Sequence, residues 1–244
     1  MLVKSKLKYI QTLGQKKFRQ EERTFIAEGP KIVTELLQAK KEAIREIFAL
    51  KEWIEENTVW VKQVNCTEIS EQELERISQL STPNKVLALV QQFEEDKVMI
   101  TKDSITLVLD GIQDPGNLGT IIRIADWFGI GQVICSEDST ELYNPKVVQA
   151  TMGSIARVNV CYTALHSWLA EQKDVPIYTA MLGGVDITEM ERITEGIIII
   201  GNESKGISPA LLNRANTRIT IPKKGNAESL NAAVAAGIIL SHLS

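Results

Sequence analysis

Ile32, Val33, Leu36 and Leu37 repeat at helical spacing directly after the break at Glu28-Gly29-Pro30, so a helix is predicted there. Residues 44–50 and 59–64 read instead as extended segments, and residues 86–90 form a short apolar run suited to a buried strand. Ser70 followed by Glu73 is a capping-box pattern ahead of Leu74, Ile77 and Leu80. These alternating patterns predict a small α/β domain over residues 1–95. Glu94, Glu95, Asp96 and Lys97 fall in a stretch with few large apolar groups, which marks 96–104 as a linker. From 105 to 244 the apolar runs 105–109, 132–135, 177–180, 196–200 and 218–221 are separated by segments of helical pattern. Such alternation predicts a parallel sheet covered on both faces. Ligands of these sheets gather where strands end and loops run toward helix N-termini, so chemistry is expected in those loops.

A length of 244 residues is long for one core and comfortable for two domains. Hydrophobic residues at 44% and charged residues at 24% are the balance of a globular protein and exclude a disordered chain. No run approaches the ~20 apolar residues that span a bilayer, and lysines punctuate residues 1–20 where a secretory signal would be apolar. A cytoplasmic protein without a membrane partner is expected. Cys66, Cys135 and Cys161 are widely spaced, lack any ligand pattern and read as reduced core residues. His166 and His242 are the only histidines, too few for a histidine metal site or a Ser-His-Asp triad, and no metal is expected. The net charge of -4 argues against coating nucleic acid by bulk attraction. Yet Lys4, Lys6, Lys8, Lys16, Lys17 and Arg19 all precede the first acidic residue, Glu21. This patch is either a solvated helix face or a contact for an anionic partner, and charge alone leaves both open.

Three blocks in the second half carry candidate chemistry. In the first, LDGIQDPGNLGTIIR over 109–123, Asp114-Pro115-Gly116 turns the chain and Asn117 is placed to cap the following helix. Arg123 falls four residues after Gly119, so the two are expected on one helix face with room beside the guanidinium. A capped helix with a surface arginine explains this block equally well. The second, GNESKGISP over 201–209, follows a buried strand and offers backbone amides and Glu203 to a ligand, with Ser208 and Pro209 starting a helix. It fits neither the phosphate-loop nor the G-x-G-x-x-G pattern, which weakens nucleoside triphosphate, NAD and other small-molecule enzyme readings. In the third, IPKKGNAESLNAAVAAGI over 221–238, Ser229 is placed to cap a helix of small residues with Asn231 in its first turn. Standing alone, this block is best explained as an ordinary C-terminal helix.

In this order and at these separations the blocks resemble the three motifs of the SpoU, or TrmH-like, branch of the SPOUT RNA methyltransferases, over residues 105–243. Asn144-Pro145-Lys146 and Met152-Gly153-Ser154 are similar to a stretch common in that branch. Glu28-Gly29-Pro30-Lys31, with the following helix, resembles the start of the ribosomal-protein-like RNA-binding domain that often precedes it. The resemblance implies a parallel-sheet α/β SPOUT fold with a C-terminal trefoil knot, a feature that periodicity does not show and general topology makes rare. It implies transfer of a methyl group from S-adenosylmethionine to a ribose 2′-hydroxyl of RNA. By position, Ala180, Met181, Gly201, Gly206, Ile221 and Leu230 would hold the cofactor. Arg123 matches the arginine assigned to activation of the hydroxyl, and Asn117, Glu203, Ser229 and Asn231 match residues that support the site. A guanidinium keeps its proton, so the expected role of Arg123 is to hold a phosphate and stabilise a developing alkoxide. On this reading the N-terminal lysines and Arg19 become an RNA contact, with ribosomal RNA the first choice of substrate. The family also implies a homodimer; the small-residue face of Ala232, Ala235, Ala236 and Ile239 is compatible with that or with packing inside the chain. Transfer RNA as substrate, and a non-catalytic RNA-binding ribosome assembly factor, are the alternatives.

Overall fold

The computed structural model describes residues 2–94 and 103–244, so most of the linker expected at 96–104 lies outside the described residues. Residues 2–94 with Tyr143–Ala156 form one compact unit, and residues 103–142 with Arg157–Ser244 a second. In the first unit, α1 (Lys4–Thr12) and α2 (Lys16–Glu22) lead into β1 (Thr24–Glu28), α3 (Pro30–Ala39) and β2 (Ile44–Ala49). Short helices α4 (Lys51–Glu56) and α5 (Thr58–Val61), then β3 (Cys66–Glu68), α6 (Glu71–Ile77) and β4 (Val86–Gln91), follow. The strands pair in the order β1-β4-β2-β3, with only β2 and β3 parallel. α3 obeys the predicted spacing: Ile32, Val33, Leu36 and Leu37 are its buried residues, and Pro30 sits at its start, where no N–H is needed. The Ser70–Glu73 capping box also forms. Residues 59–64 do not extend as expected. The Asn57 carbonyl accepts from the N–H groups of Trp60 and Val61, which closes a helical turn and leaves Val59 facing solvent.

The second unit opens with β5 (Ile105–Asp110), α7 (Pro115–Trp127) and β6 (Gln132–Ser136). The chain then contributes Tyr143–Ala156 to the first unit, where α8 (Pro145–Ala150) packs on β1. Back in the second unit come β7 (Asn159–Thr163), α9 (Leu165–Glu171), β8 (Ile177–Asp186) and β9 (Gly196–Gly201). It ends with α10 (Pro209–Leu212), β10 (Thr217–Thr220) and α11 (Ala232–Leu243), the last packed against α7. The sheet order is β10-β8-β9-β5-β6-β7 and every pair is parallel, as the apolar runs predicted. At its centre Ile197, Ile198, Ile199 and Ile200 are all buried, which is why β9 reads as an unbroken apolar run.

Register brings the loops together. β5 and β9 pair along their full length, with Asp110 opposite Gly201, so the first and second blocks leave the sheet side by side. β8 pairs with β9 only through Thr179, bulges over residues 180–184, and rejoins β10 at Val185. Gly184 permits the bulge, because a Cβ there would lie 2.5 Å from the Arg218 carbonyl carbon.

Candidate active site

Asp114, rather than Asn117, caps α7: its carboxylate accepts the Asn117 N–H at 2.8 Å, and Pro115 is the first helical residue. Proline at that position places the cap one residue before it. The Asn117 side chain is therefore available for tertiary contacts. Its Nδ2 donates to Glu203 Oε1, and its Oδ1 accepts from Asn231 Nδ2 at 2.8 Å. Asn231, rather than Ser229, caps α11, with Oδ1 accepting from the N–H groups of Ala233 and Val234 at 3.0 and 3.2 Å. A single asparagine amide thus joins the three sequence blocks.

The loop after β9 is closed on itself. Asn202 and Gly206 exchange backbone hydrogen bonds of 3.1 and 2.9 Å, and Asn202 Oδ1 accepts from the N–H groups of Ser204 and Lys205. Asn202 Nδ2 donates to the Gly111 carbonyl at 2.8 Å, while the Ser208 N–H donates to Asp110 Oδ2 at 2.7 Å. The N–H groups of Asn202, Ser204, Lys205, Gly206 and Ser208 are thus satisfied within the loop and its neighbours, and Glu203 adds a carboxylate on the cavity wall. A Cβ on Gly201 would lie 2.5 Å from the Gly206 carbonyl carbon, so this turn requires glycine. Asn202 was not singled out in the sequence, although asparagine at the start of a tight loop is a recognised turn signal.

These loops border a cavity of about 850 Å³, a size typical of small-molecule sites. Ala180, Met181, Gly201, Gly206, Ile221 and Leu230 all line it, as do Glu203 and Ser229. Asn117 and Asn231 line a separate groove between α7 and α11. Arg123 lines neither. It is exposed on α7 while Gly119 is buried, so the open face expected to be shared by the two is not formed. Between Asn117 and Arg123 the helix rises about 9 Å and turns about 240°, which places the guanidinium on a different face from the Glu203 contact. Of the small-residue face, Ala232, Ala236 and Ile239 are buried, and Ala235 and Ile239 line the cavity, so packing inside the chain accounts for these positions.

The N-terminal cations divide into two groups. Lys4, Lys8, Lys16 and Lys17 are exposed. Lys6 pairs with Glu46 at 2.5 Å, and Arg19, only 2% exposed, donates to the carbonyls of Leu13 and Gly14. Arg19 therefore holds the α1–α2 turn and does not face solvent as an RNA contact would. Cys66, Cys135 and Cys161 are not disulfide-bonded among the described residues, and burial pushes the Cys66 and Cys135 thiols above their usual range, so both remain protonated. Both histidines lie in helices. Among the described residues no helix is long and apolar enough to cross a membrane.

The sequence profile of the SpoU rRNA Methylase family matches residues 104–241. The chain belongs to that family. The profile of the MRM3-like substrate binding domain matches residues 4–88 of this SpoU-family chain. The 23S rRNA (guanosine(2553)-2'-O)-methyltransferase RlmP of Bacillus subtilis is 32% identical, covering 98% of this chain and 95% of that protein. The 23S rRNA (uridine(2479)-2'-O)-methyltransferase of Streptomyces viridochromogenes is 29% identical over 65% of this chain and 59% of its own length. Among solved structures, a TrmH-family protein of Porphyromonas gingivalis shares 34% identity and a TM-score of 0.86, covering 99% of this chain and 98% of its own. The AdoMet-bound rRNA methyltransferase from Sinorhizobium meliloti shares 29% identity and a TM-score of 0.87, covering 99% and 95%. The SpoU-family chain therefore has the SPOUT parallel sheet, preceded by a substrate-binding domain, as its sequence implied.

Proposed function

We propose that this chain transfers the methyl group of S-adenosylmethionine to a ribose 2′-hydroxyl of ribosomal RNA. The observation that carries the reading is the hydrogen-bonded series Asn231–Asn117–Glu203, which ties the three family blocks together beside one ligand-sized cavity. Two relatives named as 23S rRNA 2′-O-methyltransferases support the substrate, and an AdoMet-bound relative supports the cofactor.

The cavity suits that cofactor on its own chemistry. Ile200, Ile219 and Leu230 offer apolar surface for a purine, and Glu203 and Glu228 offer carboxylates to a ligand bearing positive charge. Ala180, Met181, Gly201, Gly206, Ile221 and Leu230 would hold it. When bound, the cofactor supplies an electrophilic methyl on a sulfonium. The protein must align a ribose oxygen and stabilise the charge that grows on it as its proton leaves. Asn117 holds Glu203 to one orientation, so the carboxylate enters this task pre-positioned. Ser229, on the cavity wall, offers a hydroxyl to the entering nucleotide. Arg123 serves as a charged fork for a phosphate and the developing alkoxide.

Because Arg123 lies outside the cavity of its own chain, the proposal includes a homodimer in which it serves the cavity of a second copy. Trp127, 84% exposed, and Val234, 51% exposed, support an interface on α7 and α11, since large apolar groups gain by being covered. The N-terminal domain expected over residues 1–95 selects the RNA, with Lys4, Lys8, Lys16 and Lys17 as its exposed cations; the substrate-binding profile supports this division. The C-terminal trefoil knot and a cytoplasmic location belong to the same reading. The packing of α11 against α7, after residues 221–231 have passed the cavity, supports the knot. Titration with S-adenosylmethionine by calorimetry, followed by mapping of methylated riboses in ribosomal RNA, tests the function. Failure to bind the cofactor, or a methyl group found on a base instead of a ribose, would overturn it.

A further inference from the structure

Residues 103–142 and 157–244 carry fifteen acidic and nine basic side chains, so RNA approaching this unit meets net repulsion. Screening limits that repulsion to about 8 Å at physiological salt, which makes the charges at the cavity itself decisive. Lys223 and Lys224 are there: both line the cavity, both are exposed, and neither has a hydrogen bond or ion pair among the described residues. Arg157, by contrast, is committed to Asp126 at 2.7 Å. The two lysines follow Pro222 at the start of a wholly exposed loop over 222–231, so the backbone presents them to solvent without a competing fold contact. The carboxylates of the wall, Glu203 and Glu228, make the rest of the cavity unsuited to a polyanion.

We propose that Lys223 and Lys224 grip RNA phosphates flanking the target nucleotide and so seat its ribose over the cavity. This rests on the RNA methyl-transfer reading above and names two positioning residues for it. Lysine suits the task, because a phosphate on a flexible strand is met by a rotatable point charge without a fixed fork. A solvated lysine gains little from one small anionic ligand, whereas a polyanion also releases counterions when each of its phosphates is neutralised. RNA backbone is thus favoured over the carboxylate of the cofactor as the partner.

The test uses the full-length chain, deproteinised ribosomal RNA as probe, and affinity measured across a salt series. Each single-strand phosphate contact contributes about 0.7 to the slope of log affinity against log salt, so K223Q/K224Q should lower the slope by about 1.4. The RNA KM should rise on the order of tenfold, with the effect on KM and not on kcat, while cofactor affinity stays that of the parent protein. K223R/K224R, which keeps both charges, should restore the slope. K173Q removes an exposed lysine of the same unit away from the cavity and should leave it unchanged. An unchanged slope in K223Q/K224Q overturns the proposal, as does an equal drop in K173Q, which would mean bulk charge. Weakened cofactor binding in the double variant also overturns it by assigning the lysines to the cofactor. These outcomes are separate from failure of the parent protein to methylate RNA at all, which would sink the underlying reading.

Discussion

Asn117 uses both ends of its amide, donating to Glu203 and accepting from Asn231, so one small side chain sets the geometry of three segments far apart in sequence. Asn117→Ala removes the donor to the Glu203 carboxylate and the acceptor for Asn231 Nδ2. At about 1–3 kcal/mol for such a loss, methyl transfer should fall roughly 5- to 150-fold. Asn117→Asp keeps the contact with Asn231 but sets a second carboxylate against Glu203, and should be at least as damaging. Activity of the alanine variant within twofold of the parent would remove Asn117 from the mechanism. Glu28 makes a different residue-level prediction. It is 5% exposed, and its carboxylate accepts from Ser78 Oγ and from the Gln79 N–H at 2.8 Å. Burial outweighs these bonds and raises its pKa above the usual carboxylate range. The folded protein then holds a proton that the unfolded chain has released. The stability from this group is full below the ordinary glutamate pKa of about 4.3 and declines as pH rises through the folded value. Glu28→Gln does not titrate, so it should gain on the parent protein across that rise. Urea unfolding of both proteins at about pH 4.5 and about pH 7.5 reads the difference, and a variant whose stability relative to the parent is unchanged or lower at the higher pH contradicts the argument.

The loop between β9 and α10 depends on glycine where the backbone nearly touches itself. Gly201→Ala would drive a Cβ to 2.5 Å from the Gly206 carbonyl carbon and 2.6 Å from the Ile207 nitrogen, and neither neighbour can yield without opening the Asn202–Gly206 pair. Overpacking of this kind costs about 1–3 kcal/mol. A lowered melting temperature together with loss of cofactor binding is expected, and normal calorimetric titration of the variant would refute the role given to the loop. Much of this element-level picture was legible in the sequence, because buried parallel strands must be apolar on both faces: β5, β6, β8, β9 and β10 all stand where apolar runs predicted them. β7 and β3 did not, since Asn159, Tyr162 and Thr163 in one and Thr67 and Glu68 in the other break the run. Helix starts were placed near Asn117 and Ser229, and the structure moves them to Asp114 and Asn231. Each segment offers more than one capping side chain, and local pattern does not say which one the tertiary contacts leave to cap. The residues that the family resemblance implies for the cofactor fall together on one cavity wall, because strand ends fix where loops emerge. The placement of Arg123 was not legible, since it depends on which helix face the core claims.

Taken as a whole molecule, the two compact units do not follow one cut in the chain. Tyr143–Ala156 belongs with residues 2–94, although the sequence on either side of it builds the second unit. Its fit in the first unit is specific: the Tyr143 ring lies 4.7 Å from that of Phe25, and the Tyr143 hydroxyl accepts the Phe93 N–H at 2.9 Å. Gly153 sits so close to Glu35 that a Cβ would approach its Cγ to 2.6 Å. Val147, Val148 and Ile155 are at most 2% exposed. Cutting the chain before residue 103 would strip the partners from this segment and return those three side chains to water, at roughly 1.5–3 kcal/mol each. Residues 103–244 alone should therefore bind a hydrophobic dye and melt well below the full-length chain. Loss of RNA binding by that truncation would then reflect misfolding as much as a missing RNA surface. The division of labour between the units is better tested with both units intact. In the full-length chain, K4Q/K8Q/K16Q/K17Q changes only exposed lysines of the first unit, so it should weaken binding to ribosomal RNA and lower its salt slope while leaving affinity for S-adenosylmethionine intact. Equal weakening of both ligands, with an unchanged melting temperature, would show that RNA selection and cofactor binding are not housed in separate units.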